Sequence, residues 1–132
     1  MPKATVGLKK TELDTPCLVI DKNILKSNLE VMRQHSIATN INIRPHCKTH
    51  KCSKLAHLQV EYGAIGVSVA KISEAEVLIQ NGIANILITS PIVTKNKISK
   101  LISCLEKASS TLVVVDNREN MIALNEAGML NK

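Results

Sequence analysis

The chain has 132 residues, of which 45% are hydrophobic, 21% charged and 1% aromatic, and its formal net charge is +6. This balance excludes a disordered chain, and no apolar run reaches the roughly 20 residues that cross a bilayer. Tyr62 is the one residue among Phe, Trp and Tyr, and this scarcity of aromatic side chains argues against a nucleic-acid-binding protein despite the basic charge. The charged leader is unlike a signal peptide, so we expect one cytoplasmic domain whose four cysteines are free thiols.

The first predicted unit is a strand followed by a helix. Residues 17–20 form a short apolar run that is too short for a helix, so we predict a buried strand that places Cys17 in the core. Asp21 follows as a helix N-cap, and from Asn23 onward apolar residues recur at helical spacing.

The same strand-then-helix unit is predicted four more times. The strands fall at 41–43, 65–69, 86–88 and 112–115, and each is followed by an apolar stripe of helical spacing. We expect Ser73 and Glu76 to form a capping box on the third helix, and Asp116 and Glu119 to cap the fifth. Glycines in the left-handed conformation are expected to end helices at positions 63, 82 and 128. Alternating strands and helices predict a parallel sheet, either open or part of a (β/α)8 barrel.

The carboxyl ends of the strands are where either architecture binds ligands. Basic and titratable residues are concentrated after the second strand, in Arg44-Pro45-His46-Cys47-Lys48-Thr49-His50-Lys51. No acidic residue lies between Glu30 and Glu61. This positive segment favours an anionic ligand. A lysine crowded by other cations also has its ammonium form destabilised, which favours the neutral amine that attacks a carbonyl. Composition and spacing do not separate Lys48 from Lys51.

The stretch 44–51 resembles the motif of the D-threonine aldolase and D-serine dehydratase family. The flanks agree, because residues 14–21, 69–76 and 86–89 are similar to the family's first, third and fourth strand regions. The resemblance implies a pyridoxal-phosphate enzyme in which Lys48 is the catalytic Schiff-base lysine. It implies cofactor binding by Lys48 together with Arg44, His46 and His50.

The resemblance also implies the fold class, which is α/β with a parallel sheet of about five βα repeats. Residues 1–132 would form a partial (β/α)8 TIM barrel of the alanine racemase N-terminal type. The family's second half-barrel and its β domain, which supplies the ligands of a divalent metal, resemble nothing in this sequence. We therefore predict no metal site and expect the chain to be an N-terminal portion.

The implied function is that of a lyase acting on D-3-hydroxy amino acids, such as the cleavage of D-threonine to glycine and acetaldehyde, with little activity expected from the chain alone. Two alternatives stay open, a D-serine dehydratase-type ammonia-lyase and a non-catalytic α/β module that acts only through association. Unpaired strand edges favour association, so a homodimer or a complementing C-terminal chain is expected beside the small-molecule substrate. We expect part of the barrel interior to be exposed, at Val67, Val69, Ile88 or Val114.

Overall fold

The computed structural model describes residues 7–131, so residues 1–6 and 132 of the predicted domain lie outside the described part. Each of the five predicted helices is confirmed. Their bounds are Lys22–Thr39 for α1, Ser53–Glu61 for α2, Ile72–Gln80 for α3, Lys95–Lys107 for α4 and Arg118–Leu130 for α5. None of these helices is long and apolar enough to cross a membrane, within the residues described.

Three of the predicted strands form one parallel sheet. They are β1 at Val67–Val69, β2 at Ile86–Ile88 and β3 at Leu112–Val113, and β2 lies between the other two. Val67 pairs with Ile86, and Leu87 pairs with Leu112, both in parallel register. β1 leads through α3 to β2, and β2 leads through α4 to β3. The α/β class with a parallel sheet is therefore confirmed.

The other two predicted strands do not join the sheet as regular strands, which corrects the count of five to three for residues 7–131. Segment 41–46 runs beside β1 and bonds to it, with Ile43 O accepting from Ile65 N at 3.0 Å and Pro45 O accepting from Ser68 N at 2.7 Å. Segment 17–20 belongs to no strand, and Leu18 is fully exposed. An apolar run becomes a strand only where a neighbour supplies the ladder of hydrogen bonds. Cys17 is consequently exposed, contrary to the prediction.

The core lies between the helices and one face of the sheet. Val67, Val69, Ile86 and Ile88 are fully buried and belong to one cluster with residues of α3 and α4, namely Ile72, Ala75, Leu78, Ile98, Leu101 and Cys104. Burial of each large aliphatic side chain contributes about 1.5–3 kcal/mol. The expectation of exposure is wrong for Val67, Val69 and Ile88, because side chains of this parity point toward the helices. Val114, the fourth residue named, is half-buried, so partial exposure is confirmed there.

The helix ends differ in detail from the sequence prediction. Lys71 is the N-cap of α3 and makes no capping bond with its side chain, so the predicted Ser73–Glu76 box is absent. Asn117, not Asp116, caps α5 by accepting from Asn120 N at 2.8 Å. Gly63 and Gly82 adopt positive φ as predicted, whereas Gly128 lies inside α5. Before α5, Asp116 and Asn117 are both suitable caps, and the backbone places Asn117 at the capping position.

Candidate active site

Residues 46–51 of the motif lie at the carboxyl edge of the sheet. His46 forms a parallel bridge with Ser68 of β1, and the chain then makes a 3-10 turn over Cys47–Thr49. Lys48 is in the middle of this turn and is exposed. Thr89, the residue after β2, lies at the same edge because β1 and β2 are parallel. The motif is therefore placed where a parallel α/β fold binds its ligands.

His46 is held by both of its ring nitrogens. Its Nδ1 accepts from the backbone N–H of Lys48 at 3.2 Å, which makes His46 the N-cap of the turn. Its Nε2 lies 3.2 Å from Oγ1 of Thr89. The imidazole is thus directed along the carboxyl edge from the turn toward β2.

The side chain of His50 is directed toward α2. Its Nδ1 accepts from the backbone N–H of Cys52 at 3.1 Å, and its Nε2 lies 3.3 Å from Oε1 of Gln59 in α2. Both nitrogens of His50 therefore join the end of the motif to α2. The structure does not bring His50 together with Lys48 and His46 in a hydrogen-bond network.

Lys51 is paired with an acidic residue that the sequence prediction did not use. Its Nζ lies 3.3 Å from Oε1 of Glu74, a carboxylate whose side chain is only 17% exposed. Burial raises the pKa of Glu74, but hydrogen bonds from Ala70 N and from Lys51 outweigh it, and the net pKa lies below the usual value. Glu74 was detectable as an acidic residue in the first turn of the helix that follows β1.

Cys47 connects the 3-10 turn to the hydrophobic core. Its side chain is buried in the core cluster, and burial, with a smaller effect of the Glu74 charge, raises the pKa of its thiol to about 11. A thiol in this state is a packing residue and a poor nucleophile at neutral pH. Cys47 and Glu74 also line an apolar cavity of about 200 Å³ together with Lys51, Val69, Ser73, Val77 and Leu78.

Arg44 lies at the opposite end of the sheet. Its guanidinium donates to the backbone oxygen of Asn85, the residue before β2. Asn85 and Thr89 are four residues apart, so the two ends of this strand are separated by about 13 Å. The structure does not place Arg44 beside Lys48.

Lys48 in the turn and Lys71 at the start of α3 also lie at the carboxyl edge, and neither makes an ion pair within residues 7–131. Lys71 borders a cleft of about 460 Å³ between the segments that follow β1 and β2 and the start of α4, with Ser90 and Lys97 also in its wall. Within the same described residues, no group of three or more His, Cys, Asp or Glu side chains is arranged to hold a metal.

Comparisons with known proteins add an independent line of evidence. The family described as "Alanine racemase, N-terminal domain" matches residues 20–131. A D-threonine aldolase of Arthrobacter sp is 33% identical over 126 residues, which are 96% of this chain and 33% of the relative. A 3-hydroxy-D-aspartate aldolase of Paracoccus denitrificans is 32% identical over 94% of this chain and 32% of its own length. The chain thus spans about a third of the length of the curated relatives it matches.

Solved structures agree with the sequence relatives. The crystal structure of a D-threonine aldolase from Filomicrobium marinum superposes with a TM-score of 0.86 at 37% identity, covering 89% of this chain and 32% of that one. The D-threo-3-hydroxyaspartate dehydratase from Delftia sp. HT23 gives a TM-score of 0.73 at 28% identity, covering 90% of this chain and 30% of that one.

Proposed function

The chain belongs to the family of alanine racemase N-terminal domains, and from this premise we propose that it is part of a pyridoxal-phosphate-dependent lyase that acts on D-3-hydroxy amino acids. Lys48 is the residue proposed to bind the cofactor. The names of the relatives support the substrate class, because D-threonine, 3-hydroxyaspartate and D-serine all carry a hydroxyl on the β carbon.

One observation carries the assignment of Lys48. Of the cations in the 44–51 motif, Lys51 is paired with Glu74 and Arg44 is bonded to Asn85 O, whereas Lys48 makes no ion pair within residues 7–131. An amine that attacks a carbonyl must be free of a carboxylate that would hold it as ammonium. Lys48 meets this requirement at the edge of the sheet where ligands bind, and the residues present fit an aldehyde cofactor.

Lys48 would hold pyridoxal phosphate covalently, through condensation of its Nζ with the aldehyde group of the cofactor and loss of one water molecule. When bound, the cofactor supplies an electron sink for the bond broken at the α carbon of the substrate. His46, at the same edge, is the nearest candidate for orienting the cofactor. His50 and Arg44 stay predictions from the sequence, since their side chains bond to Gln59 and Asn85.

Aldol cleavage is the reaction we favour over dehydration. The aldolase structure superposes with a TM-score of 0.86 at 37% identity, whereas the dehydratase structure from Delftia gives 0.73 at 28% identity. In aldol cleavage the bond between the α and β carbons breaks, so D-threonine yields glycine and acetaldehyde. We also propose that the chain works in association, either with a second copy or with a chain that completes the barrel.

The test is attachment of the cofactor to the full 132-residue chain. Pyridoxal phosphate should give a yellow adduct that borohydride reduces to a stable secondary amine, and mass spectrometry of the peptides should locate it on Lys48. Lys48→Arg should abolish the adduct. Lys54→Arg, a change of the same kind on the exposed side of α2, should leave it intact. Labelling spread evenly over the lysines, or concentrated on Lys51, would contradict the proposal.

A further inference from the structure

Thr89 is bonded on two sides at the carboxyl end of β2. Its Oγ1 donates to the backbone oxygen of Val69 at 3.0 Å, and its backbone N–H donates to the same oxygen at 2.8 Å. The same Oγ1 lies 3.2 Å from Nε2 of His46. The hydroxyl therefore stands between β1 and the imidazole of the motif.

The hydrogen bonds around His46 allow one assignment of protons. The backbone N–H of Lys48 can only donate, so Nδ1 of His46, which accepts from it at 3.2 Å, carries no proton. A neutral imidazole then has its proton on Nε2, and this N–H points at Thr89 Oγ1. The hydroxyl proton of Thr89 is already directed to Val69 O, which leaves the oxygen free to accept. Each group along this series of hydrogen bonds is thus consistently a donor or an acceptor in each bond that it makes.

We propose that Thr89 is a positioning residue, which holds His46 as the Nε2–H tautomer and through it fixes the backbone of Lys48 at the carboxyl edge. This inference rests on the proposed function for its meaning in catalysis. Without the hydroxyl, Nε2 of His46 loses its acceptor and the ring is free to rotate. Rotation removes the acceptor of the Lys48 N–H and loosens the turn that carries the amine.

The experiment compares Thr89→Val, which keeps the shape and removes the hydroxyl, with Thr89→Ser, which restores it. Ser90→Ala is the control, because Ser90 offers a hydroxyl at the same edge for which no hydrogen bond is found within residues 7–131. The first readout is the ¹⁵N spectrum of the His46 ring in the full chain. Wild type, Thr89→Ser and Ser90→Ala should show a protonated Nε2 and an unprotonated Nδ1. Thr89→Val should shift both nitrogens toward the average of exchanging tautomers.

The second readout is the rate at which pyridoxal phosphate becomes attached to Lys48, followed by borohydride trapping. Loss of one hydrogen bond should lower the attachment rate by a factor of about 5 in Thr89→Val, and Thr89→Ser should restore the rate. An unchanged His46 spectrum or an unchanged rate in Thr89→Val overturns the inference.

Two further outcomes separate this inference from the proposed function. A wild-type chain that attaches no cofactor at Lys48 overturns the proposed function, while the His46 spectrum still decides the role of Thr89. A wild-type spectrum with the proton on Nδ1 overturns the inference without any variant.

Discussion

Lys48 and Lys51 are three positions apart in one basic segment, and their surroundings give them different roles. Lys51 reaches across to Glu74 of α3, and although 70% of the lysine side chain is exposed, its partner is largely shielded. Glu74 also accepts from Ala70 N at 2.9 Å, so it joins the end of β1 to the end of the motif. The ion pair therefore stabilises the end of the turn that follows Lys48, while His46 stabilises the end that precedes it.

Replacing Glu74 by Gln should lower the stability of the chain by about 1 kcal/mol at neutral pH. The pKa of Glu74 is lowered in the folded state, so its contribution is complete above the ordinary value of 4.5 and is lost as the pH falls through the folded pKa. The difference in free energy of unfolding between wild type and Glu74→Gln should narrow below about pH 4.5. Urea unfolding over a pH series measures it. Glu106→Gln, on the exposed side of α4, should show no such gap, and a gap that widens in acid would contradict the assignment.

The cysteines should differ in reactivity toward iodoacetamide. Burial raises the pKa of Cys47 to about 11, so hardly any thiolate is present at neutral or slightly alkaline pH, and the side chain is inaccessible as well. Cys17 is exposed and should react first. Mass spectrometry of the alkylated native chain would measure the order, and the denatured chain would serve as the control. Rapid modification of native Cys47 would show that the turn does not pack as described.

At the level of elements, the start of β1 depends on the absence of a side chain at Gly66. This glycine has a φ of 149°, and a Cβ built on it would lie only 2.7 Å from Cβ of Asn85. The guanidinium of Arg44 crosses the same space to reach Asn85 O. Gly66 therefore lets segment 41–46, β1 and β2 come together at their amino ends.

Gly66→Ala should destabilise the chain by about 2–4 kcal/mol, because it adds a steric clash to an unfavourable backbone conformation. Gly128 is the matched control. It lies in α5 with open space around its Cα, so Gly128→Ala should be neutral or should stabilise by about 0.5 kcal/mol through helix propensity. Thermal unfolding of both variants is the measurement. A Gly66→Ala variant as stable as the Gly128→Ala variant would contradict the close approach at the start of β1.

The helices were predictable because their signal is local. Asp21, for example, caps α1 by accepting from the N–H groups of Asn23 and Ile24 at 2.8 and 3.0 Å, and those residues lie within one turn of it. The strands were less predictable because a strand exists only through its neighbour, as the difference between segments 17–20 and 41–46 shows. The prediction placed Lys48 at the carboxyl edge, where the structure has it, yet gave no role to Glu74 or Thr89, whose contacts join separate elements.

At the scale of the whole molecule, β3 is an edge strand of the sheet formed by residues 7–131, and the sheet carries exposed apolar side chains. Leu112 is 51% exposed although it lies in a strand, and Ile41 and Val115 are 61% and 44% exposed near the ends of the sheet. An edge strand with an apolar surface favours pairing with another chain.

The chain should therefore associate in a concentration-dependent way, which sedimentation equilibrium would measure. Leu112→Lys should weaken the association, because a charge on an edge strand opposes pairing. Met129→Lys, at an exposed position of α5, should leave the association unchanged. A stable monomer at high concentration would contradict this prediction.

The order β1-β2-β3 follows the order of the chain, and α3 packs on α4 as α4 packs on α5. Elements that touch are thus close in sequence, as in a solenoid, where stability is a sum over neighbouring units. Opening should begin at the outer units and move inward. Amide hydrogen exchange should accordingly be slowest in β1, β2 and α3 and become faster through α5 on one side and α1 on the other.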